Sequence, residues 1–217
     1  DMVILAIGAV PNTTLAKQAG LQLGFKDAIK TNRYMQTYTD PDIYACGDCA
    51  EKHSFFSGTS MPAMLASIAT SEARIAGSNL YSPIHQNFGT ISVFSTMING
   101  RAFAAAGLTE RIARSRNMNI VIGTAEAPDT HPGGMPDSSK TKVKLIFAKG
   151  TGILLGGSIS GGRSVGERIN VIGACIIHQM TANDIFQFQM GTHPALTSSP
   201  IMYPIVNAAQ AVITPIL

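Results

Sequence analysis

Residues 40–50 read Asp40-Pro41-Asp42-Ile43-Tyr44-Ala45-Cys46-Gly47-Asp48-Cys49-Ala50. Residues 43–45 are largely apolar and predict a short buried strand. Gly47 follows, and a glycine allows a sharp backbone turn because it has no Cβ. Asp48 would then lie at the open end of the strand, where open α/β sheets bind their ligands. A carboxylate at this place can accept a hydrogen bond from a sugar-alcohol hydroxyl.

The preceding run leads directly into this turn and reads Ala28-Ile29-Lys30-Thr31-Asn32-Arg33-Tyr34-Met35-Gln36-Thr37. Together the two runs resemble the second flavin-binding segment of the FAD-dependent pyridine nucleotide-disulfide oxidoreductases. The resemblance implies that Asp48, with Gly47 beside it, holds the ribityl chain of FAD.

Other motifs occur in the order that this family has them. The run Ala6-Ile7-Gly8-Ala9-Val10-Pro11-Asn12 resembles the Gly-x-x-Pro-Asn turn where the NAD domain returns the chain to the FAD domain. Gly8 and Pro11 are therefore candidate cofactor-binding residues. Later motifs resemble the dimerisation domain: Gly89-Thr90, Ala106-Gly107-Leu108-Thr109-Glu110, Gly152-Ile153-Leu154-Leu155-Gly156, Arg168-Ile169-Asn170-Val171-Ile172 and His193-Pro194. The nearest branch is the group of NADH oxidases, coenzyme A-disulfide reductases and polysulfide reductases.

The resemblance implies an α/β remnant of the FAD/NAD(P)-binding domains, followed by an α+β dimerisation domain. The expected boundaries place the end of the NAD(P)-binding domain at residues 1–12 and the C-terminal segment of the FAD-binding domain at 13–85. Residues 86–217 form the interface domain, an antiparallel sheet with helices on one face. The pattern predicts its strands at 90–97, 101–108 and 119–125, a hairpin at 142–160, and helices at 109–116 and 164–180.

The chain is expected to be the C-terminal part of a longer enzyme. Residues 2–7 read as a strand at its very start, and the two Gly-rich dinucleotide turns and the redox-active cysteine of the family are not among its residues. Residues 150–156 match a dinucleotide turn in letters only. The run after Gly152 contains the paired glycines Gly156 and Gly157 where a helix should form, so a hairpin turn at 149–152 is the better interpretation.

The amino-acid composition and net charge argue against some classes of protein, such as nucleic-acid-binding and membrane-spanning proteins. Hydrophobic residues make up 45% and charged residues 13%, against about a quarter charged in typical domains. So few charges suggest a surface covered by a partner or by the missing segment. A net charge of +3 is too small to argue for nucleic acid, and no apolar run approaches the ~18 residues of a membrane span. Three cysteines without a secretory signal indicate a reducing cytoplasm.

Cys46 and Cys49 form a Cys-x-x-Cys pair that has two interpretations. They could be a thiol–disulfide oxidoreductase pair at a helix start, where a thiolate is stabilised. They could also be small buried residues that flank Gly47-Asp48, and this second interpretation is favoured. A metal site is not expected, because no second Cys or His pair follows at ligand spacing.

A helix is predicted over residues 62–80, with Pro62 in its first turn. Its apolar stripe is interrupted once, by Glu72. The resemblance implies that this helix directs its N-terminus at the pyrimidine edge of the flavin, with Met61, Pro62 and Ala63 in contact. A helix N-terminus carries roughly +0.5 charge and would stabilise the reduced flavin. The alternative is an ordinary core helix.

His193 is the candidate catalytic residue. In lipoamide dehydrogenases and glutathione reductases, a similar His-Pro reaches the partner subunit's flavin site, and a Glu four residues beyond the Pro orients it. Ser198 occupies that position here. Coenzyme A-disulfide reductases carry a Tyr before Pro-Pro in this loop, and Gly191 takes the Tyr position. The loop follows neither pattern fully, and the alternative is a histidine that packs beside a turn.

The function that follows is that of a flavoprotein fragment. The parent enzyme would pass electrons from NAD(P)H through FAD to a disulfide, a polysulfide or oxygen. This chain would supply half of the FAD site and form a homodimer through residues 86–217, and alone it would be inactive. The alternatives are a catalytically inert dimerisation module, or a Cys46/Cys49 thiol–disulfide oxidoreductase. The small-molecule electron acceptor and the choice between NADH and NADPH stay open.

Overall fold

The computed structural model describes residues 1–213. Its contacts divide the chain into two compact units, residues 1–90 (unit 1) and residues 91–217 (unit 2). The predicted boundaries after residues 12 and 85 are boundaries between family domains, and they stay predictions. Within the described residues, none of the helices is long and apolar enough to cross a bilayer.

Unit 1 has little regular structure. It contains helix α1, Thr14–Gln18, helix α2, Ala66–Asn79, and two single 3₁₀ turns, Phe25–Asp27 and Gly47–Cys49. Its extended segments meet in isolated bridges, such as Ile29 with Ala50 and Gln36 with Tyr44. Gly20 ends α1 with a φ of 73°, the left-handed conformation that glycine favours after a helix.

The apolar core of unit 1 is small. Its buried members are mostly alanines, with Met35 1% exposed and Ile29 8% exposed. Half-buried side chains pack around them, namely Leu21, Leu23, Tyr44, Cys46, Cys49 and Ile75. Such a core provides limited burial, and polar contacts must hold much of this unit in place.

Three predictions for unit 1 were wrong in detail. Residues 2–7 are exposed and form no strand, because no described segment pairs with them. Residues 43–45 make only the single bridge at Tyr44, since their neighbouring segment, around Gln36, pairs at one position. Helix α2 starts at Ala66 rather than near Pro62, since Leu65 is extended, with φ −130° and ψ 133°.

Unit 2 is built on a five-stranded antiparallel sheet in the order β1-β2-β5-β4-β3. The strands are β1 Phe94–Ile98, β2 Arg101–Gly107, β3 Ile120–Pro128, β4 Lys140–Ala148 and β5 Leu154–Gly161. The predicted hairpin is confirmed, with the turn between β4 and β5 closed by the N–H of Gly152 on the carbonyl of Ala148 at 2.9 Å. The first strand begins four residues later than predicted.

The helices of unit 2 are α3 Glu110–Ser115, α4 Val165–Ile177, α5 Ala182–Phe186 and α6 Pro204–Ile213. Thr109 caps α3 by accepting the N–H of Ile112, and Thr181 and Asp184 form a capping box on α5.

Helices α4 and α6 cover the same face of the sheet. A Cβ on Gly157 would lie 3.0 Å from Ile172 of α4, and a Cβ on Gly123 would lie 1.8 Å from the carbonyl oxygen of Ala208 in α6. Both glycines stand in register with Leu145 and therefore share one face. The predicted antiparallel sheet with helices on one face is thus confirmed. Glycine at position 123 is required because any side chain would collide with the helix backbone.

Candidate functional site

The Gly47–Cys49 turn carries the candidate aspartate. Cys46 is extended, with φ −147°, and Gly47 then takes a φ of 74°. That value lies in the left-handed region, which supports the predicted need for glycine. The turn leaves the side chain of Asp48 exposed.

A cavity of about 270 Å³ opens beside Asp48. Six of the seven predicted cofactor-binding residues line it, namely Gly8, Pro11, Asp48, Met61, Pro62 and Ala63. Gly47 adjoins it through the peptide bond to Asp48. The other lining residues are Ile7, Ala9, Phe25, Lys26, Ala28, Ala50, Lys52 and Met64. One carboxylate set among mainly apolar walls suits a ligand segment that carries hydroxyl groups.

The N-terminus of α2 begins two residues beyond Met64, one of the cavity-lining residues. Its N-cap is Leu65, whose side chain makes no capping hydrogen bond. The first N–H groups of an α-helix have no partner within the helix and carry partial positive charge. The helix therefore offers donors to a ligand that bears negative charge.

A buried ion pair, which was not predicted from the sequence, binds the backbone of the Gly47–Cys49 turn. The ammonium of Lys52 lies 2.9 Å from a carboxylate oxygen of Glu72, and their side chains are 4% and 3% exposed. The same carboxylate accepts the N–H of Gly47 at 2.8 Å. Lys52 donates to the carbonyls of Gly47 and Ala50. The interruption of the apolar stripe at Glu72 was the one signal that could have revealed this pair.

Burial raises the pKa of Glu72, and the hydrogen bond and charge of Lys52 oppose that rise. The negative charge of Asp48 nearby adds to it. Lys52 is the cation that contacts both Glu72 and the backbone of the turn.

A second buried carboxylate, Glu51, does not line the cavity but binds the backbone of Phe25, which does. It accepts the N–H of Phe25 and the hydroxyl of Ser60, both at 2.8 Å. Gly24 makes room for it, because a Cβ there would lie 2.6 Å from the carboxylate oxygens. These bonds fix the Phe25–Asp27 turn, in which Lys26 has a φ of 54°.

The Cys46/Cys49 pair consists of half-buried thiols that pack against the core of unit 1. Burial raises the pKa of Cys46, and the nearby Cys49 and Glu72 raise it further. The thiol of Cys49 donates to the carbonyl of Cys46 at 3.4 Å. A reactive thiol needs the opposite shift, so these features favour the packing interpretation. Within the described residues, no group of His, Cys, Asp and Glu side chains could hold a metal ion.

His193 lies in unit 2, within an exposed turn. Its Nδ1 accepts the N–H of Ala195 at 3.2 Å, so Nε2 is the ring nitrogen available to other groups. Ser198 is 1% exposed and donates to the carbonyl of Pro128 at 2.6 Å. That hydroxyl therefore serves the packing of the loop and does not orient the imidazole.

Comparison with known proteins gave consistent matches. The family described as pyridine nucleotide-disulphide oxidoreductase matches residues 1–73, and its dimerisation domain matches residues 93–201. The chain is 32% identical over 210 residues to an NADH oxidase of Methanocaldococcus jannaschii, covering 97% of this chain and 46% of that protein. It is 29% identical to the CoA-dependent NAD(P)H sulfur oxidoreductase of Pyrococcus furiosus, with the same coverage.

Solved structures agree. The reduced CoADR-RHD of Bacillus anthracis superposes with a TM-score of 0.87 at 31% identity, over 97% of this chain and 37% of that one. The NAD-dependent persulfide reductase of A. fulgidus gives 0.84 at 28% identity, over 95% and 37%. The chain thus spans less than half the length of the proteins that it matches.

Proposed function

Since the chain belongs to the pyridine nucleotide-disulphide oxidoreductase family, we propose that it forms half of an FAD site and the dimer interface of an NAD(P)H-dependent flavoprotein. The family implies FAD as the cofactor and NAD(P)H as the reductant. The observation that carries the proposal is the single cavity at Asp48, which gathers cofactor-binding candidates from three separate segments of unit 1.

Each part of the cavity has a proposed task. The carboxylate of Asp48 accepts hydrogen bonds from the hydroxyls of the ribityl chain. Met61, Pro62 and Ala63 exclude water, and the uncapped start of α2 offers positive charge to the pyrimidine edge. Bound FAD would supply the chemistry of taking up a hydride and releasing electrons to an acceptor.

The proposed electron acceptor is oxygen or a sulfur compound such as a disulfide or polysulfide. Relatives named NADH oxidase and CoA-dependent sulfur oxidoreductase support both classes. His193, an exposed residue, is proposed as a proton donor through Nε2. Because no carboxylate orients it in this loop, a dithiol reaction of the lipoamide type has less support.

We further propose a homodimer formed through residues 86–217, which the match to the dimerisation domain supports. Residues 1–217 contain no Gly-rich dinucleotide turn, so alone they should bind FAD poorly and be inactive. The three free cysteines suit a reducing, cytoplasmic setting.

Replacement of Asp48 tests the proposal. In the full-length polypeptide, Asp48→Ala should weaken FAD binding by roughly 10- to 100-fold, since hydrogen bonds to a charged group contribute about 1.5–3 kcal/mol. The ratio of flavin to protein absorbance and an FAD titration of the apoprotein measure this.

Asp42→Ala is the matched control, because Asp42 is exposed on the same segment and does not line the cavity. It should keep its flavin. Equal flavin content in Asp48→Ala and wild type would disprove the proposed site, and a colourless wild-type protein would favour the inert dimerisation module.

A further inference from the structure

The turn that presents Asp48 has little support of its own. It is a single 3₁₀ turn of three residues, closed by the N–H of Ala50 on the carbonyl of Gly47 at 3.0 Å. The preceding segment pairs with its neighbour at one position, Tyr44 with Gln36, and the end of the turn is held at one position, where the carbonyl of Cys49 accepts the N–H of Ile29 at 2.8 Å. Fixing backbone residues costs about 1–2 kcal/mol each in conformational entropy, so other contacts must hold this turn in one conformation.

Lys52 and Glu72 provide those contacts. Glu72 accepts the N–H of Gly47 at 2.8 Å, while Lys52 donates to the carbonyls of Gly47 and Ala50, the latter at 2.8 Å. Both backbone groups of Gly47 are therefore bound by charged side chains from different parts of unit 1. The bound atoms stand on both sides of Asp48 in the sequence.

Stability alone is a weak reason for such a pair. Taking two charges out of water is costly, and apolar replacements of buried ion pairs are often neutral or stabilising. The pair instead fixes the orientation of the turn, because each charged side chain is hydrogen-bonded to the backbone of the turn as well as to the other side chain. Lys52 also lines the Asp48 cavity, which couples the pair to any ligand that occupies it.

We propose that Lys52 and Glu72 are positioning residues that hold the Gly47–Cys49 turn, so that the Asp48 carboxylate stays directed into its cavity. The inference rests on the proposed function, because the ligand of Asp48 is taken to be FAD. Neither residue is assigned a contact with the reacting atoms.

The test is a double-mutant cycle on FAD affinity in the full-length polypeptide. Lys52→Met alone leaves the Glu72 charge buried without its cation, and this variant could fail to fold. The pair variant, Lys52→Met with Glu72→Leu, removes both charges and the acceptor of the Gly47 N–H, and avoids that problem. It is made in wild type and in Asp48→Asn, and each apoprotein is titrated with FAD.

If the pair acts through Asp48, the pair variant weakens FAD binding about tenfold where Asp48 is present. It then has less than a twofold effect in Asp48→Asn, because the positioned group is already altered. The same factor in both backgrounds, or no weakening at all, would overturn the inference. Lys144→Met with Glu110→Gln removes an ion pair from unit 2 and serves as control, with unchanged affinity expected.

Amide hydrogen exchange gives a readout that does not depend on flavin. The N–H of Gly47 should exchange at least tenfold faster in the pair variant, while amides of strand β4 keep their rates. Unchanged exchange at Gly47 would overturn the inference. If Asp48→Asn by itself leaves FAD affinity unchanged, the proposed function fails and the inference with it. A clear Asp48→Asn effect combined with an additive pair effect overturns the inference alone.

Discussion

Units 1 and 2 are stabilised by different kinds of contact. Unit 2 pairs five strands in register over five to nine residues each and covers one face with α4 and α6. Unit 1 relies on isolated bridges and a core made mostly of alanines. Of the eleven side chains that are polar and buried among residues 1–213, eight lie in unit 1.

The difference shows how a binding region can be built. Hydrogen bonds between side chain and backbone can hold irregular turns at defined places, and turns are where ligands meet the backbone. Apolar packing suits the unit that has a regular sheet. Unit 1 should therefore respond most to the loss of polar groups, and unit 2 to the loss of apolar volume.

The largest effect is expected from the core of unit 2. Phe147 is 0% exposed in β4, so Phe147→Ala should destabilise unit 2 by about 3–5 kcal/mol. Phe103 lies on the open face of the same sheet and is 40% exposed. Phe103→Ala should cost only about 1 kcal/mol. Urea unfolding of the two variants gives the comparison, and equal losses would show that the apolar core does not dominate unit 2.

Replacement of Asn79 in unit 1 should give the next largest loss of stability. Asn79 is 1% exposed, donates to the carbonyls of Tyr34 and His85, and accepts the N–H groups of Ile84 and His85. Asn79→Ala should destabilise unit 1 by about 2–3 kcal/mol, because several buried backbone groups lose their partner.

The control for Asn79 is Asn207 in unit 2, whose side chain donates to the carbonyl of Ile201 at 3.2 Å. Asn207→Ala should cost about 1 kcal/mol or less. Thermal unfolding followed by amide exchange in each unit measures both changes. If the two variants lose the same stability, the polar network of unit 1 is not what holds it.

A change of pH should give the smallest effect on stability. The stability contributed by Glu126 in unit 2 and by Glu72 in unit 1 should change in opposite directions as the pH falls. Hydrogen bonds from Lys140 and Lys142 lower the pKa of Glu126 from 4.5 to about 2. Its contribution to unit 2 is present above its unfolded pKa and is lost as the pH falls toward about 2. Burial raises the pKa of Glu72, so its contribution to unit 1 is full below the unfolded pKa and is lost as the pH rises through the folded pKa.

Thermal unfolding between about pH 6 and about pH 2.5 measures this difference. Glu126→Gln should reduce the acid-induced loss of stability in unit 2, by a small amount because exposed ion pairs contribute little. An unchanged acid response in this variant would show that the contacts of Glu126 with Lys140 and Lys142 have no energetic effect.

Much of unit 2 was predictable. The antiparallel strands, the hairpin turn at Gly150 and Gly152, and the helix that follows Leu108 were predicted from short runs of the sequence, and the structure confirms them. Predictions for unit 1 were less accurate. The strands at residues 2–7 and 43–45 do not form, because a strand requires a partner as well as a suitable local sequence. Helix α2 begins later than predicted because Leu65 is extended, and residues 61–64 before it line the cavity.

The sequence by itself determined the family, the fold of unit 2, the special conformation of Gly47 and the choice of Asp48 as the candidate ligand of FAD. Local patterns and ordered motifs carry that information. The tertiary structure decided that Glu72 meets Lys52 and that both bind the backbone of Gly47. It also decided that segments around Gly8, Asp48 and Met61 line one cavity. These contacts join residues far apart in the chain, and only the packed fold brings such residues within hydrogen-bond distance.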